Sequence, residues 1–133
     1  MSARSEVPIS FNDTESVVVV ATIGAEASLD ADGSKSFGDT IVRYINSHPG
    51  VKLLINFQNI TYLSSAALSE LLRVNDAARQ NGGAIQLCGL SKEIHKVFEI
   101  TQLSKVFKVN PGEPVEKTIV RLNSESEWDV FRA

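Results

Sequence analysis

Short apolar runs alternate along this chain with longer segments whose apolar residues recur at helical spacing. Residues 7–11 and 17–23 are the first two apolar runs, and valine dominates the second. Because β-branched residues favour extended backbone, both runs predict strands. The intervening Asn12-Asp13-Thr14 is typical of a turn. The first part of the chain is therefore expected to form a β-hairpin.

A second pattern occupies the centre of the chain. Residues 51–57 are almost entirely apolar, as expected of a central strand that is covered on both faces. A short polar loop follows, and Ser64 and Ser65 then open an Ala/Leu-rich segment that predicts a helix over residues 64–81. Gly82 supplies the left-handed conformation that commonly ends a helix. The predicted buried side of this helix consists of Ala67, Leu68, Leu71, Leu72, Val74 and Ala78, with Glu70, Arg73, Asp76 and Arg79 facing water.

The remaining segments continue the alternation of strands and helices. After a small-residue loop at 24–33, Ser34 or Ser36 is expected to cap a helix that ends at Pro49-Gly50. Residues 84–88 predict a short strand. The other predicted elements are a helix capped by Ser91 that turns Ile94, Val97, Phe98 and Ile100 inward, a last strand at 105–109, and a final helix with Pro114 in its first turn.

This order of elements predicts an α/β fold. Strands that alternate with helices indicate a mixed, mostly parallel sheet, here of four or five strands with about four helices. Residues 1–122 are expected to form one domain, and residues 123–133 a polar tail. Ligands and partners of such sheets usually bind where the parallel strands end. The loop at residues 58–63 lies at that edge.

Composition narrows the class of protein. The net charge of −3 and the pI near 5.4, without a Lys/Arg cluster, argue against nucleic-acid binding. The single cysteine, Cys88, excludes an internal disulfide and is expected to be a small buried hydrophobe. The N-terminal residues lack the apolar core of a signal peptide, and no apolar run approaches the about 20 residues that span a bilayer. We therefore expect a cytoplasmic protein without membrane insertion.

The candidate chemistry centres on the two serines. The start of a helix presents unpaired N–H groups and a partial positive charge, which suit a serine cap or an anionic group such as a phosphate. The chain has no Gly-x-Ser-x-Gly elbow, and His48 and His95 have no further ligands at a useful spacing. We therefore expect no enzymatic activity, no metal and no cofactor. Read by themselves, Ser64 and Ser65 are more simply explained as plain helix caps.

The segment from residue 51 to residue 83, with its surroundings, resembles the STAS family, the bacterial anti-sigma factor antagonists. Residues 60–68 read Ile-Thr-Tyr-Leu-Ser-Ser-Ala-Ala-Leu, where the family has an acid, two serines, a glycine and a leucine at the opening of a helix. The similarity continues through Asn81-Gly82-Gly83, the strand 85–88, the helix 91–100, Thr101-Gln102-Leu103 and Val106-Phe107, and covers about residues 7–122.

The resemblance implies a non-enzymatic domain that binds an anti-sigma factor with a kinase-like ATP-binding fold. It implies that the first serine of the pair, Ser64, is phosphorylated, with Ser65 as the alternative, and that only the unmodified form binds. Either Tyr62 or Leu63 is expected to be exposed, and the other buried. The implied partner-binding residues are Tyr62, Leu63, Ser64, Ser65, Ala66, Gly24, Ala25 and Leu29.

Three positions depart from the family pattern. Asn56 stands where the strand normally ends in an acid, Leu63 where an acid precedes the serines, and Ala66 where a glycine follows them. These departures keep an alternative open, namely a non-phosphorylated STAS subunit or scaffold of a signalling complex or a lipid-transport ABC system. The sequence leaves the oligomeric state open.

Overall fold

A computed structural model describes most of the predicted domain. The structural description covers residues 9–13, 18–24, 31–60, 62–107 and 118. The polar tail and most of the predicted final helix lie outside the described residues.

Four strands form one mixed sheet in the order β1-β2-β3-β4. They are β1 (Ile9–Asp13), β2 (Val18–Ile23), β3 (Lys52–Asn56) and β4 (Ala84–Cys88). The first two strands pair antiparallel, as expected of a hairpin, whereas β2 with β3 and β3 with β4 pair parallel. The carboxyl ends of β2, β3 and β4 therefore meet at one edge of the sheet.

Within the described residues, the helices α1 to α3 connect or follow the parallel strands. Helix α1 (Ala31–Ser47) joins β2 to β3, and α2 (Ser65–Gln80) joins β3 to β4. Helix α3 (Lys92–Ile100) follows β4, and a 3₁₀ turn at Leu103–Lys105 comes after it. Crossovers between neighbouring parallel strands are almost always right-handed, which places α1 and α2 on the same face of the sheet. The described elements confirm the α/β prediction and its mixed, mostly parallel sheet.

The three parallel strands, β2, β3 and β4, bury side chains on both faces of the sheet. Odd-numbered residues such as Leu53 and Ile55 join the large core beneath the helices, whereas Leu54 belongs to a second cluster. Successive side chains of a strand point to opposite faces, so the nearly unbroken apolar run of β3 serves both. The second cluster consists of Val18, Val20, Leu54, Ala84 and Cys88. The expectation that Cys88 is a small buried hydrophobe is confirmed.

The structure corrects two predicted element boundaries. Helix α1 begins at Ala31, so Ser34 lies inside its first turn, buried, rather than capping it, and Ser36 also lies inside the helix. Residues 105–107 belong to a 3₁₀ turn and the bend after it rather than to a strand, while residues 108–109 lie outside the described part. Of the predicted final helix, only Thr118 is described, and it is helical and buried.

The structure also corrects several predicted side-chain orientations. Leu72 and Ile100 are exposed, at 39% and 80% of their full surface, instead of buried. Glu70 and Arg73, which were expected to face water, bond to each other across one turn of α2. The stop at Gly82 is confirmed, because its φ of +74° is the left-handed conformation that glycine adopts readily.

Candidate functional site

Ser64 is the N-cap of helix α2. Its backbone is extended (φ −81°, ψ 166°), and its Oγ accepts a hydrogen bond from the Ala67 N–H at 3.2 Å. Its carbonyl oxygen accepts the first intrahelical bond, from Leu68 N. A serine at this position supplies an acceptor to a helix N–H group that has no partner within the helix, which explains why α2 begins here. Ser65 is the first helical residue, and its side chain is exposed.

The hydroxyl of Ser64 has a second neighbour from another helix. Ser34 Oγ, in the first turn of α1, lies 3.1 Å from Ser64 Oγ, within hydrogen-bond distance. Ser34 is 1% exposed, so its hydroxyl is part of the interior while Ser64 is half-buried. The N-terminal ends of α1 and α2 therefore meet at Ser64. Each end carries a partial positive charge, which favours an anionic group between them.

The loop after β3 is held by the buried side chain of Asn56. The Asn56 Oδ1 atom accepts a hydrogen bond from Gln58 N at 3.0 Å, and the residue is 3% exposed. A carboxylate oxygen could accept the same bond. Asparagine at position 56 therefore keeps the acceptor that an acid would supply to Gln58 N.

Gly89, after β4, packs directly against this asparagine. Its φ is +74°, and a Cβ atom added there would lie 2.6 Å from Asn56 Oδ1 and 2.8 Å from Gln58 N. Both the backbone conformation and the close approach require glycine. Phe57 N donates to the Cys88 carbonyl oxygen at 2.8 Å, which ties the ends of β3 and β4 together.

The end of β2 is bound to the same loop. Asn59 Nδ2 donates to the carbonyl oxygen of Ile23 at 3.0 Å. This bond brings Gly24, the residue after Ile23 and half-buried, to the edge of the sheet where Ser64 lies. The other two predicted contact residues of that loop, Ala25 and Leu29, lie outside the described residues.

Among the described residues of the site, Tyr62 and Ser65 are exposed. Tyr62 is 60% exposed, whereas Leu63 is partly buried against the core, as expected for one exposed and one buried residue. Ala66 is half-buried. An exposed tyrosine beside an exposed serine offers both an aromatic surface and hydroxyl groups to a partner.

Further along the helices, an ion-pair cluster joins α1 to α2. Arg73 Nη2 lies 2.7 Å from Asp39 Oδ1 and also bonds to Glu70. The hydrogen bond from Arg73 lowers the pKa of the Asp39 carboxyl below its ordinary value. The spacing of Glu70 and Arg73 is visible in the sequence, but their pairing with α1 is not. This cluster holds together the two helices whose N-termini meet at Ser64.

Ser34 is the site residue that sequence reasoning placed wrongly. It was predicted as a helix cap, and the sequence contains no signal that it contacts a residue 30 positions further on. The two histidines lie away from Ser64 in the chain: His48 stacks on Tyr44, and His95 lies 3.5 Å from Glu99. Among the described residues, no group of three His, Cys, Asp or Glu side chains could hold a metal ion. Within that same part of the chain, no helix is long and apolar enough to cross a membrane.

Comparisons with known proteins point to one family. The STAS domain model matches residues 9–123. An anti-sigma-B factor antagonist of Staphylococcus aureus is 33% identical over 64 residues, which is 48% of this chain and 59% of the relative. The match thus spans less than two thirds of the length of that relative.

Solved structures share the fold at lower sequence identity. An anti-sigma-factor antagonist (STAS) domain protein from Planctomyces limnophilus superposes with a TM-score of 0.73 at 16% identity, covering 90% of this chain and 99% of that one. The Bacillus cell fate determinant SpoIIAA, in its phosphorylated form, superposes with a TM-score of 0.64 at 17% identity, covering 86% and 99%. From the family match and the shared fold, we conclude that this chain belongs to the STAS domain family.

Proposed function

We propose that this STAS domain is an anti-sigma factor antagonist whose partner is an anti-sigma factor with a kinase-like ATP-binding fold. In this proposal the unmodified domain binds the partner and phosphorylation of Ser64 ends the binding. The observation that carries the proposal is the position of Ser64 at the N-cap of α2, between exposed Tyr62 and exposed Ser65. The name of the staphylococcal relative and the phosphorylated form of SpoIIAA support it.

The geometry accounts for a switch that affects binding more than folding. A phosphate adds about −1.5 to −2 charges at pH 7. In the free domain, that charge would lie at the N-terminus of α2, where backbone N–H groups and the helix dipole favour an anion. In a complex, the same charge would be covered by the partner and would have to lose its water. The modification is therefore expected to be compatible with folding and unfavourable for docking.

The proposed contact surface consists of residues on both loops at this edge of the sheet. Tyr62 and Ser65 provide its exposed part, and Leu63 and Ala66 provide its half-buried base. Gly24 is brought to the same edge by the bond between Asn59 and Ile23. We include Ala25 and Leu29 in the surface because they lie within five residues of Gly24 in the sequence.

A second candidate is a STAS subunit or scaffold that is never phosphorylated. Two observations favour it: positions 56 and 63 carry no acid, and the Ser64 hydroxyl is engaged by Ala67 N and Ser34 Oγ. This candidate uses the same exposed surface but needs no charge change. The identity of the partner separates the two proposals.

The test begins with the full chain, tagged and expressed in its native host. Partners that copurify are identified by mass spectrometry, and the principal partner is then incubated with the pure chain and ATP. A sigma-regulating kinase that phosphorylates Ser64 supports the proposal. An ATP-binding cassette protein that binds without phosphorylating the chain supports the scaffold.

Calorimetry with the purified partner then tests the switch. We expect Ser64→Asp to weaken binding by about 1–3 kcal/mol, because a charge is introduced into the docking surface, and Ser64→Ala to weaken it much less. Ser69→Asp is the control, because Ser69 is an exposed serine on α2 that lies further along the helix from the loop. Equal affinities for wild type, Ser64→Ala and Ser64→Asp would show that Ser64 is only a helix cap.

A further inference from the structure

The contact between Ser34 and Ser64 joins a buried hydroxyl to the proposed phosphorylation site. The two Oγ atoms are 3.1 Å apart, and Ser34 is 1% exposed. Ser34 lies in the first turn of a 17-residue helix, so the rest of α1 holds its backbone in place. The Ser64 side chain is therefore held from two sides, by Ala67 N of its own helix and by Ser34 of α1.

The protons of this pair determine what phosphorylation does to it. Before modification each serine carries one hydroxyl proton, and either oxygen can donate to the other. Transfer of the γ-phosphoryl group from ATP forms a bond between Ser64 Oγ and phosphorus, breaks the bond to the β-phosphate oxygen, and releases the Ser64 proton. ADP leaves with the bridging oxygen. Once the phosphate is a dianion it carries no proton, so only the Ser34 hydroxyl can then donate a hydrogen bond between the two side chains.

We propose that Ser34 is a positioning residue for Ser64, holding its hydroxyl before phosphorylation and donating a hydrogen bond to the phosphoserine afterwards. The inference rests on the proposed function only in taking Ser64 as the modified serine. Phosphate oxygens are stronger acceptors than a hydroxyl, because hydrogen bonds to ionised groups are shorter and roughly twice as strong. Ser34 thus links the modification state of α2 to the first turn of α1, which follows directly on the loop after Gly24 in sequence.

The test uses chains in which phosphoserine is inserted at position 64 during translation, so neither a kinase nor a partner is needed. The pH titration of the phosphate is followed by ³¹P NMR. A donor from Ser34 stabilises the dianion more than the monoanion and lowers the second pKa of the phosphate. We expect Ser34→Ala to raise that pKa by about half a unit, and Ser34→Thr, which keeps the hydroxyl, to return it towards wild type.

Two controls separate this effect from a general change in structure. In a chain with phosphoserine at position 65, Ser34→Ala should leave the phosphate pKa unchanged, because Ser65 is exposed. Ser69→Ala, which removes an exposed hydroxyl from α2, should leave the pKa at position 64 unchanged. A pKa at position 64 that does not respond to Ser34→Ala, or an equal response at positions 64 and 65, would overturn the proposal.

A second measurement decides the matter if the phosphorylated variants do not fold. In the unmodified chain, urea unfolding of Ser34→Ala, Ser64→Ala and the double variant forms a double-mutant cycle. We expect a coupling of about threefold to tenfold in the unfolding equilibrium constant. If the free-energy losses of the two single variants add up to the loss of the double variant, the two hydroxyls do not interact, and the proposal is wrong. Because no partner takes part in either experiment, a negative result would leave the proposed function standing, and failure to find an anti-sigma factor would leave this contact untouched.

Discussion

Replacing Ser64 by alanine should destabilise the domain through a specific and limited set of lost contacts. The substitution removes the acceptor of the Ala67 N–H and the neighbour of the buried Ser34 hydroxyl. Loss of a serine N-cap typically costs about 1 kcal/mol. Loss of the hydrogen bond between Ser64 and Ser34 adds about 0.5–1 kcal/mol, the usual net contribution of one such bond. We therefore expect the free energy of unfolding to fall by about 1.5–2 kcal/mol.

Two further substitutions test whether the loss of stability in Ser64→Ala comes from the helix cap. Ser65→Ala removes an adjacent hydroxyl that is exposed, so the loss should stay within about 0.5 kcal/mol. Ser64→Asp keeps a capping acceptor and places a negative charge at the N-terminus of α2, which is worth about 0.3–1 kcal/mol. The aspartate variant should therefore be close to wild type in stability even though we expect it to bind its partner poorly.

The assay is urea unfolding followed by circular dichroism on wild type and the three variants at pH 7. The midpoint should shift while the dependence on urea stays constant, since the surface exposed on unfolding is unchanged. Equal losses for Ser64→Ala and Ser65→Ala would refute the assignment of Ser64 as the cap. A Ser64→Asp variant as unstable as Ser64→Ala would refute the argument from the helix N-terminus.

Three further predictions concern the loop, the helix pair and the exposed surface. Gly89→Ala should lower the free energy of unfolding by about 2 kcal/mol or more, because the added Cβ would lie 2.6 Å from the buried Asn56 Oδ1. Gly50→Ala is the control: its φ is +82° but the space around it is open, so the loss should be about 1 kcal/mol. Equal losses in urea unfolding would contradict the steric argument. Arg73→Ala should cost less than about 1 kcal/mol at pH 7, because the pair is partly exposed. Arg73 lowers the pKa of the Asp39 carboxyl in the folded chain. The ion pair therefore stabilises the fold above the pKa that Asp39 has in the unfolded chain, and this stabilisation disappears as the pH falls through the lowered pKa of the folded chain. If Arg73→Ala costs as much at pH 2 as at pH 7, packing and not charge explains the loss. Tyr62→Ala should change the free energy of unfolding by no more than about 0.5 kcal/mol, because Tyr62 is exposed. It should weaken binding to the partner, measured by calorimetry, by at least about 1 kcal/mol. An unchanged affinity would place Tyr62 outside the interface.

The elements that depend on neighbours in sequence were predictable. The apolar runs of β2, β3 and β4, the cap at Ser64 and the stop at Gly82 all appear in the structure. Each of these rests on spacing or on a residue preference that acts over a few positions. The family resemblance rests on the same local order of elements, and the family match confirms it.

The errors fall where a distant segment decides the outcome. Helical spacing alone placed Leu72 and Ile100 in the core, but both are exposed. Helical periodicity identifies the residues that share one face of a helix. It does not determine how much of that face the neighbouring elements bury. Glu70 and Arg73 were placed in water for the same reason, whereas the Asp39 carboxylate of α1 accepts a hydrogen bond from Arg73.

The sequence by itself determined the α/β class, the order of the strands and helices from β1 to α3 and the position of Ser64 at a helix start, because these follow from local periodicity and capping chemistry. The strand predicted at 105–109 is not found in residues 105–107. Only the tertiary structure decided that Ser34 is buried against Ser64, that Asn56 holds the loop and fits against Gly89, and that Tyr62 is the exposed member of its pair. These contacts arise when the parallel strands bring their carboxyl ends to one edge and α1 packs beside α2. The bond between Asn56 and Gln58 is local, but the contacts of Ser34 with Ser64 and of Asn56 with Gly89 join residues about 30 positions apart, which no local pattern of amino acids contains.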